Sequence, residues 1–140
     1  MGYVLGLDID GVITASPDYF VSLSSDWRRK GRQVHIVSSR SDHPEARQST
    51  IAELRAIGIT YDRLYLLPSI ETAQRDCQIP GLDWYQKYLW QKVDYCTRHD
   101  ISLFYDDDIK VVQLFQLLAP KIEIIHYSEA VNDEGSGKLS

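Results

Sequence analysis

The chain has 140 residues, of which 44% are hydrophobic and 25% are charged, a balance typical of one globular domain with a single sizeable core. Its net charge of −5 gives no general attraction to nucleic acid or to an anionic membrane surface, although a local basic patch is compatible with it. The two isolated cysteines argue against a zinc site or a disulfide framework, and without a signal-peptide pattern or a membrane-length apolar run we expect a cytoplasmic protein with no membrane partner.

The first predicted strand and the turn that ends it run from Tyr3 to Thr14. Mostly apolar residues lead to two carboxylates, Asp8 and Asp10, which would share a face if the strand continued through both. Like charges that close favour a divalent cation, a shared proton or a reacting group between them. An Asp-Gly hairpin turn is the alternative, but Ser16 and Pro17 are typical of a helix start, which favours a crossover to a helix.

The rest of the chain alternates between helix and strand patterns. The first half predicts a helix with Phe20, Leu23 and Trp27 on one face and Gly31 after its end, a strand over 33–38, a helix with Ile51, Leu54 and Ile57 that stops at Gly58, and a strand over 61–67. The second half predicts a loop over 69–83 with one helical turn, an aromatic-rich helix over 84–99, a strand over 101–105, a helix over 111–118 and a strand over 121–126.

Strands that alternate with helices predict a parallel sheet covered on both faces. We therefore expect an α/β, three-layer Rossmann-like fold with a central parallel five-stranded sheet in residues 1–130, and a polar, disordered tail over 131–140. Ligands of such sheets bind beyond the carboxyl ends of the strands. Polar residues end three of the predicted strands, namely Asp8 with Asp10, Ser38 with Arg40, and Asp106 with Asp107.

These motifs resemble those of the haloacid dehalogenase (HAD) superfamily of phosphohydrolases. Its first motif is matched by Asp8-Ile9-Asp10-Gly11-Val12, its second by Val34-His35-Ile36-Val37-Ser38 with Ser39-Arg40 after it, and its fourth by Asp106-Asp107. The third motif is a lysine at loose spacing before the fourth, for which Lys87 fits best and Lys92 is the alternative.

The resemblance implies a Mg²⁺-dependent phosphomonoester hydrolase. Asp8 would attack phosphorus and form an aspartyl-phosphate, while Asp10 would protonate the leaving oxygen and then activate the hydrolytic water. Asp8, the main-chain carbonyl of Asp10 and a carboxylate from Asp106 or Asp107 suit Mg²⁺, which prefers oxygen ligands.

The same resemblance assigns roles to the remaining motif residues and leaves some alternatives open. Ser38, with Ser39 and Arg40, would bind the substrate phosphate, although Arg40 could instead pair with an acid. Lys87 would neutralise charge on the phosphoryl group and Asp8, unless it lies on a solvated helix face. Asp108 is either a further metal ligand or the N-cap of the next helix.

The expected substrate is a phosphorylated nucleotide or a nucleic-acid phosphate end. The segments between the motifs leave no room for a cap domain, and capless HAD proteins often act on large substrates. Residues 87–112 resemble the phosphatase half of polynucleotide kinase–phosphatases, and the first two motifs resemble small nucleotidases. The alternatives are a phosphatase of another phosphometabolite or of a phosphoprotein, and a catalytically silent metal-binding scaffold.

Overall fold

The computed structural model describes residues 3–128. The strands are β1 (Val4–Leu7), β2 (Gln33–Ser41), β3 (Arg63–Leu67), β4 (Leu103–Asp106) and β5 (Glu123–His126). The helices are α1 (Pro17–Arg29), α2 (Pro44–Ile57), α3 (Ile70–Asp76), α4 (Trp84–Arg98) and α5 (Ile109–Leu118). The tail predicted over 131–140 lies outside the described residues.

The five strands form one parallel sheet in the order β3-β2-β1-β4-β5. β1 is central, with Leu5 opposite Val34 of β2 and Leu103 of β4. This confirms the predicted α/β fold with a five-stranded parallel sheet. Because the strands are parallel, the carboxyl ends of β1, β2 and β4 meet at one edge of the sheet.

Helices cover both faces of the sheet. On one face, Phe20 of α1 and Leu54 of α2 pack in a buried cluster with Leu5 and Leu7. On the other, the buried apolar residues of α4 and α5 pack with those of β4: Leu89, Val93, Cys96, Val111, Leu114, Phe115 and Phe104. The three layers are thus held by two separate apolar clusters, each of which buries one side of the sheet.

A glycine in the central strand permits this close packing. A Cβ atom at Gly6 would lie 2.6 Å from the Phe104 ring and 3.2 Å from the Ile101 side chain. Since neither the ring nor the packed core can yield that space cheaply, a side chain at this position would separate β1 from β4.

Several elements differ in extent from their predicted bounds. β2 continues three residues beyond Ser38, and its register against β3 shifts between Ser38 and Ser41. The loop over 69–83 contains a two-turn helix, α3, in place of the single predicted turn, with the Ser69 side chain accepting from the Thr72 amide as its cap. Hydrophobic periodicity does not reveal such short or irregular elements, because they are defined by local hydrogen bonds.

The segments between the motif residues contain only elements of the three-layer fold. The chain from β1 to β2 adds one irregular turn and α1, and the chain from β2 to β4 adds α2, β3, α3 and α4. None of the helices in residues 3–128 has the length and apolar character needed to cross a bilayer.

His35 is a strand residue, as its sequence position predicts, and it is buried with 1% of its surface exposed. Its Nδ1 lies 2.9 Å from the Tyr95 hydroxyl and its Nε2 lies 2.9 Å from Gln33 Oε1. Burial, together with the nearby His99 and Arg63, lowers the pKa of His35 to about 4. The stability that this buried neutral imidazole allows is fully present above pH 6.5 or so, which is about the pKa of histidine in an unfolded chain. As the pH falls from there towards the folded pKa of about 4, the unfolded chain binds a proton that the folded protein does not, and the free energy of unfolding decreases.

This shift predicts a pH dependence of stability. Between pH 7 and pH 5, the free energy of unfolding of the wild type should fall by about 2 kcal/mol more than that of His35→Gln, because the His35 imidazole gains a proton in the unfolded chain and stays neutral in the folded protein. Urea unfolding at both pH values measures the difference. His43→Gln, at an exposed position, is the matched control and should follow the wild type. Parallel pH profiles for the wild type and His35→Gln would contradict the burial argument.

Candidate functional site

The chain turns sharply between the two carboxylates of the first motif. β1 ends at Leu7, and Asp8 adopts an extended backbone with its Oδ1 accepting a hydrogen bond from the Ile9 amide at 2.8 Å. The irregular turn over Ile9–Ile13 follows. Asp8 is 5% exposed, whereas the Asp10 side chain is 65% exposed. The strand therefore stops before both carboxylates, and they lie in different surroundings instead of on one strand face.

Three carboxylates from two neighbouring strand ends converge. Asp8, Asp106 and Asp107 each offer an oxygen, and these atoms all lie within 4.8 Å of one another. Asp8 and Asp106 are buried, and Asp107 is exposed. The β1–β4 pairing continues to this point, since the Asp8 amide donates to the Tyr105 carbonyl at 3.1 Å. The predicted meeting of the first and fourth motifs is present for these three acids.

Gly11 makes room for the third carboxylate. It has φ of +80°, and a Cβ atom on it would lie 2.1 Å from Asp107 Oδ2. Both the left-handed backbone and the lack of space exclude a side chain. The glycine after Asp10 therefore lets the turn of the first motif pack directly against the acid of the fourth.

A buried lysine joins two of the acids. Lys92 Nζ lies 2.7 Å from Asp106 Oδ2 and 3.3 Å from Asp8 Oδ1, and the side chain is 2% exposed. Of the two lysines that the sequence leaves open, Lys87 and Lys92, the structure places Lys92 against the acids. The separation of five positions between the two lysines rotates them by about 140° around α4, so a helix that directs Lys92 to the acids turns Lys87 away from them.

The amphipathic pattern of α4 contained the signal for Lys92. Tyr85, Leu89 and Cys96 mark the buried face of this helix, and Lys92 falls at the matching heptad spacing. A lysine on a buried face needs a charged partner. The number of residues between the lysine and the acidic pair, taken alone, favours Lys87. That number carries no information about which face of the helix is buried.

The electrostatics of the cluster favour a divalent cation. With every group ionised, three carboxylates and one ammonium leave an excess of two negative charges. Burial raises the pKa of Asp8 to about 7, against the opposing effect of Lys92, and burial likewise raises the pKa of Asp106. Burial lowers the pKa of Lys92, but Asp8 and Asp106 outweigh it and raise the value overall. An all-oxygen donor set with this charge suits a hard divalent ion, so this cluster can hold a metal.

Arg40 binds the second carboxylate of the first motif. Its Nε and Nη2 donate to the two oxygens of Asp10 at 2.9 and 2.8 Å, and its Nη1 donates to Glu53 Oε1 at 2.9 Å. The hydrogen bonds from Arg40 lower the pKa of Asp10. The sequence leaves two roles open for Arg40, phosphate binding and pairing with an acid. In this structure Arg40 is paired with an acid, Asp10. Asp10 belongs to this pair and not to the three-carboxylate cluster.

The remaining candidates lie around the same edge of the sheet. Ser38 is buried, and its Oγ accepts from the Arg40 amide at 3.1 Å. The Ser39 carbonyl accepts from the Tyr88 hydroxyl at 2.8 Å. Asp108 caps α5, since its Oδ1 accepts from the Lys110 amide at 2.9 Å. The N-cap alternative for Asp108 therefore matches the structure.

Removal of the buried ammonium should destabilise the fold. Lys92→Met keeps the volume of the side chain but leaves two buried carboxylates without their cation, so the free energy of unfolding should fall by about 3 kcal/mol in metal-free buffer. Urea denaturation with a chelator present measures the loss. Lys87→Met on the same helix is the matched control, with an expected change of less than about 0.5 kcal/mol. Equal losses in the two variants would contradict the assignment.

The Arg40 contact should be visible in the titration of Asp10. In Arg40→Met the pKa of Asp10 should rise from its lowered value, because the ionised carboxylate loses its two charge-assisted donors. Carbon-detected NMR of the aspartate carboxyl groups measures the shift. Arg28→Met removes an equal charge whose partner is Asp62, so it controls for net charge. An Asp10 pKa that is the same in both variants would disprove the contact.

Comparison with known proteins adds a likeness in fold. A chain in the structure of the Pnkp1/Rnl/Hen1 RNA repair complex superposes with a TM-score of 0.62 at 14% identity, covering 91% of this chain and 43% of that one. A chain in a second structure of the Pnkp1/Rnl/Hen1 complex gives a TM-score of 0.59 at 16% identity, covering 90% and 46%. This chain therefore spans less than half the length of either. No protein-family model and no curated protein matches the chain. At these identities, the likeness establishes a shared fold.

Proposed function

We propose that this protein is a Mg²⁺-dependent phosphomonoester hydrolase that works through an aspartyl-phosphate on Asp8. The observation that carries the proposal is the convergence of Asp8, Lys92, Asp106 and Asp107 at the carboxyl edge of the sheet. The HAD-like motifs supply the reaction type, and the charge of the cluster supplies the reason for a divalent ion.

Asp8 is the nucleophile in this proposal. The Ile9 amide and Lys92 both contact its Oδ1, which orients the carboxylate, so we assign the attack on phosphorus to Oδ2. The new bond joins Asp8 Oδ2 to phosphorus as the ester oxygen departs. Water then cleaves the acyl phosphate, which restores the carboxylate and releases phosphate.

Asp8, Asp106, Asp107 and the main-chain carbonyl of Asp10 would hold the Mg²⁺ ion. When bound, the ion would offset the negative charge of the carboxylates and of the phosphoryl group. Lys92 adds a fixed positive charge on the side of Asp8 and Asp106, and it sets the position of both carboxylates before substrate arrives.

Asp10 is the proton donor to the leaving oxygen, and then the base that activates water. In this structure its carboxylate is tied to Arg40. Asp10 must therefore exchange those hydrogen bonds for a contact with the substrate. Arg40 would at the same time transfer its donors to a phosphate oxygen, beside Ser38 and Ser39, because a guanidinium binds phosphate and carboxylate equally well.

The substrate class is a phosphorylated nucleotide or a nucleic-acid phosphate end. The motif resemblance supports it, and so does the shared fold with chains of an RNA repair complex. The two alternatives are tested separately. A substrate panel would reveal a phosphatase of another phosphometabolite or phosphoprotein, and the following experiment would reveal a silent metal-binding scaffold.

Turnover should depend on Asp8 and on Mg²⁺. With p-nitrophenyl phosphate as substrate, Asp8→Asn should lower kcat by more than about a thousandfold, because the amide cannot attack phosphorus. Asp10→Asn should lower kcat by roughly a hundredfold or more through loss of proton transfer. A chelator should abolish wild-type turnover, and added Mg²⁺ should restore it.

The matched control is Asp26→Asn, an equal change at an exposed position of α1, which should retain wild-type turnover. Turnover that survives the chelator, or an Asp8→Asn variant as active as this control, would contradict the mechanism. If Mg²⁺ stabilises the protein against unfolding but no substrate is turned over, the silent scaffold is the correct function.

A further inference from the structure

A pocket of about 450 Å³ opens at the carboxyl ends of β2 and β3, on the same edge of the sheet as the carboxylate cluster. Its volume lies within the range of roughly 300–1,000 Å³ that is typical of small-molecule sites. The lining includes the apolar residues Leu67, Pro68 and Ile70, together with Tyr88, Ser39 and Ser41. A larger cavity of about 520 Å³ is lined by residues such as Ser102, at the start of β4, and so lies at the opposite edge of the sheet from Asp106.

Two residues that line the pocket lie close along the chain to residues of the proposed reaction centre. Ser39 lines the pocket and directly follows Ser38, while Tyr88 lines it one helical turn before Lys92. The pocket therefore adjoins residues of the proposed site along the chain and opens at the same edge of the sheet, where the leaving group of a substrate bound at Asp8 would also lie.

Hydrogen bonds brace the pocket before any ligand is bound. The Tyr88 hydroxyl donates to the Ser39 carbonyl at 2.8 Å, and Gln91 Nε2 donates to the Pro68 carbonyl at 3.1 Å. These two bonds fix α4 to the ends of β2 and β3, so both walls keep their separation. A preformed pocket of this kind binds a ligand with little ordering cost.

The charge of the pocket selects among possible leaving groups. Among the described residues that line it, the charged ones are Asp42 and Glu71, both acidic and both exposed. Carboxylates at the rim repel the phosphodiesters of a nucleic-acid strand. They accept hydrogen bonds from hydroxyl and amino groups.

From the placement of this pocket beside Ser38 and Lys92, its apolar walls and its acidic rim, we infer that it binds the leaving group of the substrate. This leaving group is a single uncharged or cationic moiety of nucleoside size, rich in hydroxyl or amino donors. The inference rests on the proposed function, and it distinguishes a mononucleotide from a strand end as the substrate.

The test compares nucleoside monophosphates with trinucleotides that carry the same terminal phosphate, at the 3′ and at the 5′ end. Wild-type kcat/KM should be higher for the mononucleotides. The double variant Asp42→Lys/Glu71→Lys should shift the ratio of kcat/KM towards the trinucleotides by roughly three- to tenfold, because repulsion of the phosphodiesters becomes attraction. Asp42→Asn/Glu71→Gln should give an intermediate ratio.

The matched control is Glu123→Lys, an equal charge reversal at the start of β5, which lies at the amino ends of the strands and not at the carboxyl ends where the pocket opens. It should leave the ratio unchanged. A wild-type preference for trinucleotides, or a ratio in the double variants equal to that of Glu123→Lys, would overturn the inference. So would turnover of p-nitrophenyl phosphate without turnover of any nucleotide.

These outcomes separate the inference from the proposed function. If p-nitrophenyl phosphate is turned over with dependence on Mg²⁺ and Asp8 while the selectivity ratio does not respond to the rim charges, only the pocket assignment fails. If no phosphomonoester is turned over by the folded protein, the proposed function fails, and the pocket assignment fails with it.

Discussion

The contact of the Lys92 ammonium with Asp8 and Asp106 is the interaction on which the rest of the site depends. Removal of three charged groups from water is unfavourable, and the loss is recovered only where the partners are in close contact. Such contact requires that β1 and β4 be neighbours, with α4 packed across their carboxyl ends. The sheet order β3-β2-β1-β4-β5 meets this requirement. The position of the site is therefore a consequence of strand order, and the chemistry follows from which side chains end each strand.

Two glycines permit the close approach that this arrangement demands. Gly6 lets β1 lie against Phe104, and Gly11 lets the turn after β1 lie against Asp107. The first contact positions the strand that carries Asp8, and the second positions the acid that completes the cluster. A side chain at either position would separate the first motif from the fourth. Glycine at these two positions thus serves the geometry of the site as directly as the carboxylates do.

The alternation of helix and strand patterns along the sequence is sufficient to predict the architecture. It also predicts the edge of the sheet at which polar groups meet. Alternation of helices and strands is a property of burial, which sequence periodicity records well. The features that the chain pattern leaves open or does not predict are those that depend on tertiary packing. The divergence of Asp8 from Asp10 follows from where β1 stops, and the pairing of Arg40 with Asp10 follows from the extension of β2 beyond Ser38. Motif spacing ranks Lys92 second to Lys87, and only the buried face of α4 favours Lys92 over it.

One helix, α4, contacts both the carboxylate cluster and the ends of the strands beside the pocket. Within α4, Tyr88 contacts the end of β2, Gln91 contacts the residue after β3, and Lys92 contacts the acids at the ends of β1 and β4. A displacement of α4 would change the pocket and the charge balance around Asp8 together. Hydrogen bonds and ion pairs thus attach this helix to the ends of four strands. Substitutions at Asp42 and Glu71, which line the pocket and are exposed, would therefore change the charge of the pocket without altering the contacts of α4 with the carboxylate cluster.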